Sequence, residues 1–211
     1  MKTNQEYKNA ALAALKGNWT QAVVAGLAIF AIALAANMLT AVDPEGAFAA
    51  FASLAVAICV TIPLSVGLYA AYRELYLGTN VKVVENSFKK GFGNWGHHIG
   101  GMLLMGVYTF AWTLLLIVPG IIKSFSYALT PFILTDKPEL SANEAIELSM
   151  KMMDGHKLDL FMLYLSFIGW YLLSILTLCI GTLWVMPYQY TAMAAFYEDV
   201  KAEYESKAVV A

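Results

Sequence analysis

Charge is what this sequence has least of. Thirteen Lys and Arg with 15 Asp and Glu make up 13% of its 211 residues, against roughly 25% in a soluble domain. So few charges, separated by long uncharged runs, do not wet a surface of ordinary size. That excludes an ordinary soluble enzyme and a disordered chain. A basic excess is lacking as well: the net charge is −2, which offers no cationic stripe to nucleic acid. Cysteine is nearly absent, and Cys59 and Cys179 both lie inside apolar runs, so there is no secreted disulfide framework. What is present is apolar residue, 60% of the chain. The remaining class is a polytopic helical membrane protein.

The charge-free runs are 17–42, 46–72, 99–122, 124–135 and 160–197. The first exceeds a signal-peptide apolar core of about 7–15 residues and reads as a span that stays in the membrane. A crossing helix needs about 20 residues, so the last run holds two spans, with a tight turn near Cys179-Ile180-Gly181. Whether 124–135 spans decides between five and six. With six spans and a cytoplasmic N-terminus, Lys2, Lys8, Lys16, Arg73, Lys82, Lys89, Lys90, Lys137, Lys151, Lys157, Lys201 and Lys207 all lie inside and only Lys123 outside. With five, the split is seven inside and six outside. The positive-inside rule selects six. The expected spans are 19–42, 47–72, 99–118, 121–135, 160–178 and 182–198. Pro119-Gly120 supplies the turn into the short fourth span, and Lys123 is expected to snorkel at the outer face.

The polar segments predict amphipathic helices at the cytoplasmic face over 4–15, 81–90 and 141–153. Thr3-x-x-Glu6 and Ser141-x-x-Glu144 are capping boxes. The apolar faces are Tyr7, Ala11 and Leu15; Val81, Val84 and Phe88; and Ala142, Ala145, Ile146, Ser149 and Met153. Glycines break each helix: Gly17, then Gly91 and Gly93, then Gly155. The plan of amphipathic helix, glycine break and membrane hairpin thus occurs three times. Spans 2 and 6 also match each other, Pro63-x5-Tyr69-Ala70-Ala71-Tyr72-x-Glu74 beside Pro187-x5-Met193-Ala194-Ala195-Phe196-x-Glu198.

The wording of the third unit resembles an uncharacterised family of bacterial integral membrane proteins, domain of unknown function 975. The motifs are Ile117-Val118-Pro119-Gly120-Ile121-Ile122-Lys123, Ser149-x-Lys151-Met152-Met153-x-Gly155-His156-Lys157, Leu165-Ser166-Phe167-Ile168-Gly169-Trp170 and Pro187-Tyr188, with Leu15-Lys16-Gly17-Asn18-Trp19 at the start. More distantly the chain is similar to the membrane domain of some glycerophosphodiester phosphodiesterases, without their catalytic domain. The resemblance implies a bacterial multi-pass membrane protein and implies no activity.

Candidate chemistry is sparse. An Asp, Lys or Arg at a span centre costs about 2.5–3.5 kcal/mol on insertion scales, and the spans avoid that cost except at Lys123. Without a deep carboxylate or histidine, a proton-coupled transporter or intramembrane protease lacks its working group. His97, His98 and His156 with Asp154 or Asp159 are the one metal-ligand set to weigh, and interfacial polar residues beside glycine breaks is the preferred reading. Glu144 and Glu147 belong to a capped, solvated helix face. No phosphate-binding loop, zinc-protease motif or nucleophile triad occurs. Pro63, Pro131 and Pro187 read as fixed bends, the alanines of span 1 as close-packing positions, and Trp112 and Trp170 as bundle core.

The expectation is an all-α, single-domain membrane bundle of six helices (five as the alternative) in the cell membrane, both termini cytoplasmic. No catalytic, cofactor or metal residue is assigned, no cofactor is expected, and the protein is read as non-enzymatic. Its partners are membrane lipids, a second copy or another membrane protein, not nucleic acid. The leading function is lipid organisation, sensing or scaffolding. The alternative is a small transporter or export accessory, and a lipid head-group enzyme comes last.

Overall fold

The computed structural model describes residues 1–42, 46–79 and 82–210. Those residues are helical and contain no strand. In chain order the helices are α1 (Asn4–Leu15), α2 (Trp19–Val42), α3 (Ala47–Val56), α4 (Ile62–Tyr76), α5 (Val83–Gly93), α6 (Trp95–Leu115), α7 (Ile117–Tyr127), α8 (Thr130–Asp136), α9 (Ala142–Met152), α10 (Lys157–Leu165), α11 (Ile168–Leu176) and α12 (Thr182–Val210). A π-helical turn, Ala57–Thr61, joins α3 to α4. Five stretches are long and apolar enough to cross a membrane: Trp19–Met38, Ala47–Tyr76, Trp95–Leu115, Ile117–Asp136 and Lys157–Leu176. The doubtful 121–135 segment is therefore kept. The sixth expected segment is the front of α12, which runs without a break into the charged tail and is not among the five.

The threefold plan is visible in the packing. Each amphipathic helix covers the end of another unit's hairpin: α5 packs on α4, α9 on α8, and α1 closes the ring on α12. Their buried faces repeat at i, i+4 and i+8 as Tyr7, Ala11, Leu15; Val83, Ser87, Gly91; and Ala145, Ser149, Met153. The capping boxes at Thr3 and Ser141 are both formed. Gly17 and Gly155 each take φ +84°, the left-handed conformation that ends a helix and that side chains resist.

The middle helix differs from its expected form. Val81 lies outside the described residues, and Phe88 is exposed. The buried face is instead Val83, Asn86, Ser87 and Gly91. Gly91 does not break α5 but lets it touch α4: a Cβ there would stand 2.5 Å from the Pro63 carbonyl oxygen. Gly67 opposite meets the Ser87 carbonyl in the same way. Small residues win this face because backbone approach, not side-chain bulk, makes the contact.

The second hairpin turns elsewhere than at Pro119-Gly120. The reversal is the single extended residue Leu116 (φ −158°, ψ 137°). Pro119 sits in the first turn of α7, where its missing N–H leaves no bond unmade. Gly120 serves close packing, since a Cβ would come 2.7 Å from Thr113 Cα. The turn at 177–181 falls where expected, with Leu178 and Cys179 both at positive φ. Lys123 does not extend away from the amphipathic helices: its Nζ lies 3.7 Å from Met150 Sδ on α9 and 5.0 Å from the Trp112 ring centroid.

The packed core gathers at the charged ends of the helices: Leu64 to Leu75 on α4, Leu129 to Leu134 around α8, and Ala192 to Val200 on α12. The opposite half is splayed, with Phe30, Met38, Phe48, Phe51, Phe110, Leu114 and Leu176 exposed. Trp112 and Trp170, expected in the core, are exposed flank residues. Of the small residues noted in span 1, Ala25, Gly26 and Ala36 are buried, while Ala31 and Ala35 are exposed. An apolar flank without packing partners is what a hydrocarbon solvent tolerates and water does not.

Candidate functional site

Each even-numbered hairpin arm ends in one carboxylate, and these fall 62 positions apart, at Glu74, Asp136 and Glu198. Arg73, the only arginine in the chain, ties two of them together. Its Nη1 lies 2.7 Å from Asp136 Oδ1 and its Nε pairs with Glu198 Oε1. Lys201 Nζ reaches Asp136 Oδ2 at 2.6 Å, and the Tyr197 hydroxyl donates to the same oxygen at 2.8 Å. The guanidinium also lies 5.3 Å from the Tyr197 ring centroid, and that ring stacks on Phe132. The planar fork of arginine suits two carboxylates and an aromatic face at once. Two cations meet two anions here, so the cluster carries no net charge.

The amphipathic helices attach to the same end. On α5, Lys90 Nζ lies 3.2 Å from Glu74 and Asn86 donates to it at 2.7 Å. On α1, Tyr7 donates to Asp199 at 2.8 Å, and Lys2 pairs with it at 3.0 Å. Burial pushes the Asp199 carboxyl up, but the hydrogen bonds from Lys2 and Tyr7 outweigh it and hold the group below the usual carboxylate range. Helix α9 docks through Ser149, which accepts from the Leu129 N–H at 3.2 Å and donates to the Ser126 carbonyl at 2.8 Å. Every partner in this network is matched by an opposite charge or a hydrogen bond. The arrangement clamps helices together; it does not present a free acid or base.

The prolines act on the helices differently. Pro63 follows the π turn and cannot bond back to Cys59; the indole N–H of Trp95 takes that carbonyl at 2.7 Å. Pro131 opens α8 after a break, and Pro187 lies within continuous α12.

The weighed metal set does not converge. His98 is buried with Nδ1 2.8 Å from the Gly91 carbonyl oxygen, which makes Nδ1 the donating nitrogen. The His97 ring is 6.1 Å away from it, while His156 sits between Asp159 and Glu203, each at 3.3 Å. Among the described residues no group of three His, Cys, Asp or Glu could hold a metal ion. Glu144 is used as a capping acceptor, held low by hydrogen bonds from Ser141, and Glu147 accepts from Asn143.

Two uncharged cavities lie beside the core. A cleft of about 420 Å³ between α4, α6, α7, α8 and α10 is lined by Met102, Met105, Phe125, Ala128 and Pro131 among others, and lies open at Ser124. A second, of about 190 Å³, is bounded by Tyr171, Gln189, Tyr190 and Met193. Tyr69 and Tyr164 line both.

The model of a protein family of unknown function, DUF975, matches residues 48–204. The chain belongs to that family. The match takes in all three arms of the ion cluster and both cavities, but begins after the Leu15–Trp19 wording. It brings no glycerophosphodiester phosphodiesterase with it. No curated protein and no solved structure matches this DUF975 chain.

Sequence reading missed the ion cluster. The signal was there: a lone arginine among twelve lysines, at the end of an apolar helix that also carries Glu74.

Proposed function

We infer that this DUF975 protein is a non-enzymatic, lipid-organising membrane protein. The reading places it in the bacterial cell membrane with its charged end and both termini in the cytoplasm. The observation that carries it is the contrast between the two ends. The charged end is closed by packed side chains and a neutral ion cluster, while the cleft beside it lies open at Ser124 and is lined by no charged side chain. A passage for a polar solute needs a wetted route through the bundle, whereas a lateral apolar cleft meets lipid chains. The non-enzymatic part of the reading rests on Glu144, Asp136 and His156 being engaged in a cap and in ion pairs.

The test compares retention with flux. Protein extracted in mild detergent should carry lipid visible by native mass spectrometry. Ala128→Phe, which fills the cleft, should lower that retention. Solute uptake into proteoliposomes that depends on the protein, without lipid retention, would replace this reading with transport.

A further inference from the structure

The two cavities that share Tyr69 and Tyr164 differ in chemistry. The larger presents methionine, proline, alanine and phenylalanine. The smaller presents Tyr171, Gln189, Tyr190 and Thr182. Its hydroxyls and amide are neutral, and no lysine, arginine, aspartate or glutamate lines either space. Tyr171 donates to Gln189 Oε1, which leaves the amide N–H2 of Gln189 as the donor side of that pair. The Tyr164 hydroxyl donates to the Met193 sulfur at 2.9 Å, a weak acceptor that a better one would displace. We propose that this pair of cavities is a binding site for an uncharged amphiphile, a long alkyl or acyl chain ending in a hydroxyl head, of the monoacylglycerol or fatty alcohol class.

The assignment rests on the lipid reading above and adds the head group to it. The chain lies along Met102, Met105 and Phe125, where methionine adapts to a flexible tail. The hydroxyl head passes Tyr164 and accepts from Gln189 while donating to a tyrosine oxygen. A phosphate or carboxylate head is disfavoured because no cation is present to offset its desolvation. A quaternary ammonium is the competing head, since tyrosine faces attract cations. The rings here give each other their faces and edges instead: Tyr190 is stacked on Tyr72 and edge-on to Tyr69.

The test uses the full chain in detergent with three probes of similar length: monoolein, oleate at pH 8 and hexadecyltrimethylammonium. Binding is read by native mass spectrometry. Monoolein should be retained about tenfold better than either ion, and Gln189→Ala or Tyr171→Phe should each remove about tenfold of that retention, the size of one lost hydrogen bond. Unchanged thermal midpoints of both variants keep the result separate from unfolding. Preference for the ammonium, equal retention of all three, or variants without effect would each overturn the head-group assignment. If lipid is still displaced by Ala128→Phe in that case, the lipid reading survives alone. If no lipid of any kind is held, both fall.

Discussion

Arg73 holds three helices through one planar group. Its side chain is 15% exposed and that of Asp136 is 12% exposed, so removing the guanidinium leaves carboxylates poorly reached by water. Arg73→Leu should cost about 2–4 kcal/mol of unfolding stability, toward the lower end of what breaking a buried ion pair costs because the cluster is not fully dry. Arg73→Lys should recover only part of it, since an ammonium is one point charge where the fork makes two directed contacts. Chemical denaturation in detergent measures both, and a wild-type midpoint for Arg73→Leu would show the cluster to be ornamental. Asp199 gives a pH prediction. Its folded-state pKa is depressed, so its contribution is present above the ordinary aspartate value of about 3.9 and is lost as pH falls through and below it. Protease accessibility of α1 should therefore rise on acidification below about pH 4. Asp199→Asn should show elevated accessibility already at pH 7 and a smaller acid step.

The helices meet at faces that sequence periodicity located in two cases of three. Of the face expected for α9, Ala145, Ile146, Ser149 and Met153 are buried and Ala142 is half-buried. Met153→Asp should cost roughly 2–4 kcal/mol by placing an unpaired carboxylate in that seam. Gly155→Val should cost roughly 1–2 kcal/mol because φ +84° strains any branched residue. For α5 the face was misread, because glycine and serine carry no apolar signal and their burial depends on the partner backbone. That geometry separates three glycines. Gly67→Ala and Gly91→Ala should push α5 from α4 and lower the melting temperature, whereas Gly93→Ala, with nothing within 4 Å of its Cβ, should leave it unchanged. Equal melting temperatures for all three would mean that α5 is not packed on α4 as described.

At the scale of the whole molecule, one end is packed and charged and the other is splayed and apolar. The topology inferred from lysine placement can be checked with Cys179, in the turn at 177–181 that this topology puts outside. In a Cys59→Ser background, an impermeant maleimide added outside the cell should label exposed Cys179. With Cys179 also replaced, Glu147→Cys should react only after the membrane is opened. Labelling of Glu147→Cys from outside would invert or abolish the cytoplasmic assignment of α9. Lys123 tests the same point from another side. Lys123→Gln removes a half-buried cation lying over Trp112 and against Met150, worth about 0.5–2 kcal/mol between an exposed and a desolvated site, so a much larger loss of stability in chemical denaturation would point to a further buried partner.

By itself the sequence determined the solvent, the helical class and the tripartite plan. Those follow from composition and from local periodicity: a run without charge has to be dissolved in hydrocarbon, and Thr3-x-x-Glu6 or Ser141-x-x-Glu144 caps a helix with no outside help. The turn at 177–181 and the left-handed Gly17 and Gly155 were legible for the same local reason. What only tertiary structure decided involves residues far apart in the chain. Arg73 meets Asp136 and Glu198 because α4, α8 and the end of α12 converge, and no local pattern encodes which charge faces which. The tyrosine-lined cavity needs Tyr69, Tyr164 and Tyr190 from three helices at once. Gly91 looked like a helix breaker until Pro63 was beside it. Capping and hydropathy act within a few residues of their source. Ion pairing and cavity shape act through space, and their partners are fixed only when the ring of helices closes.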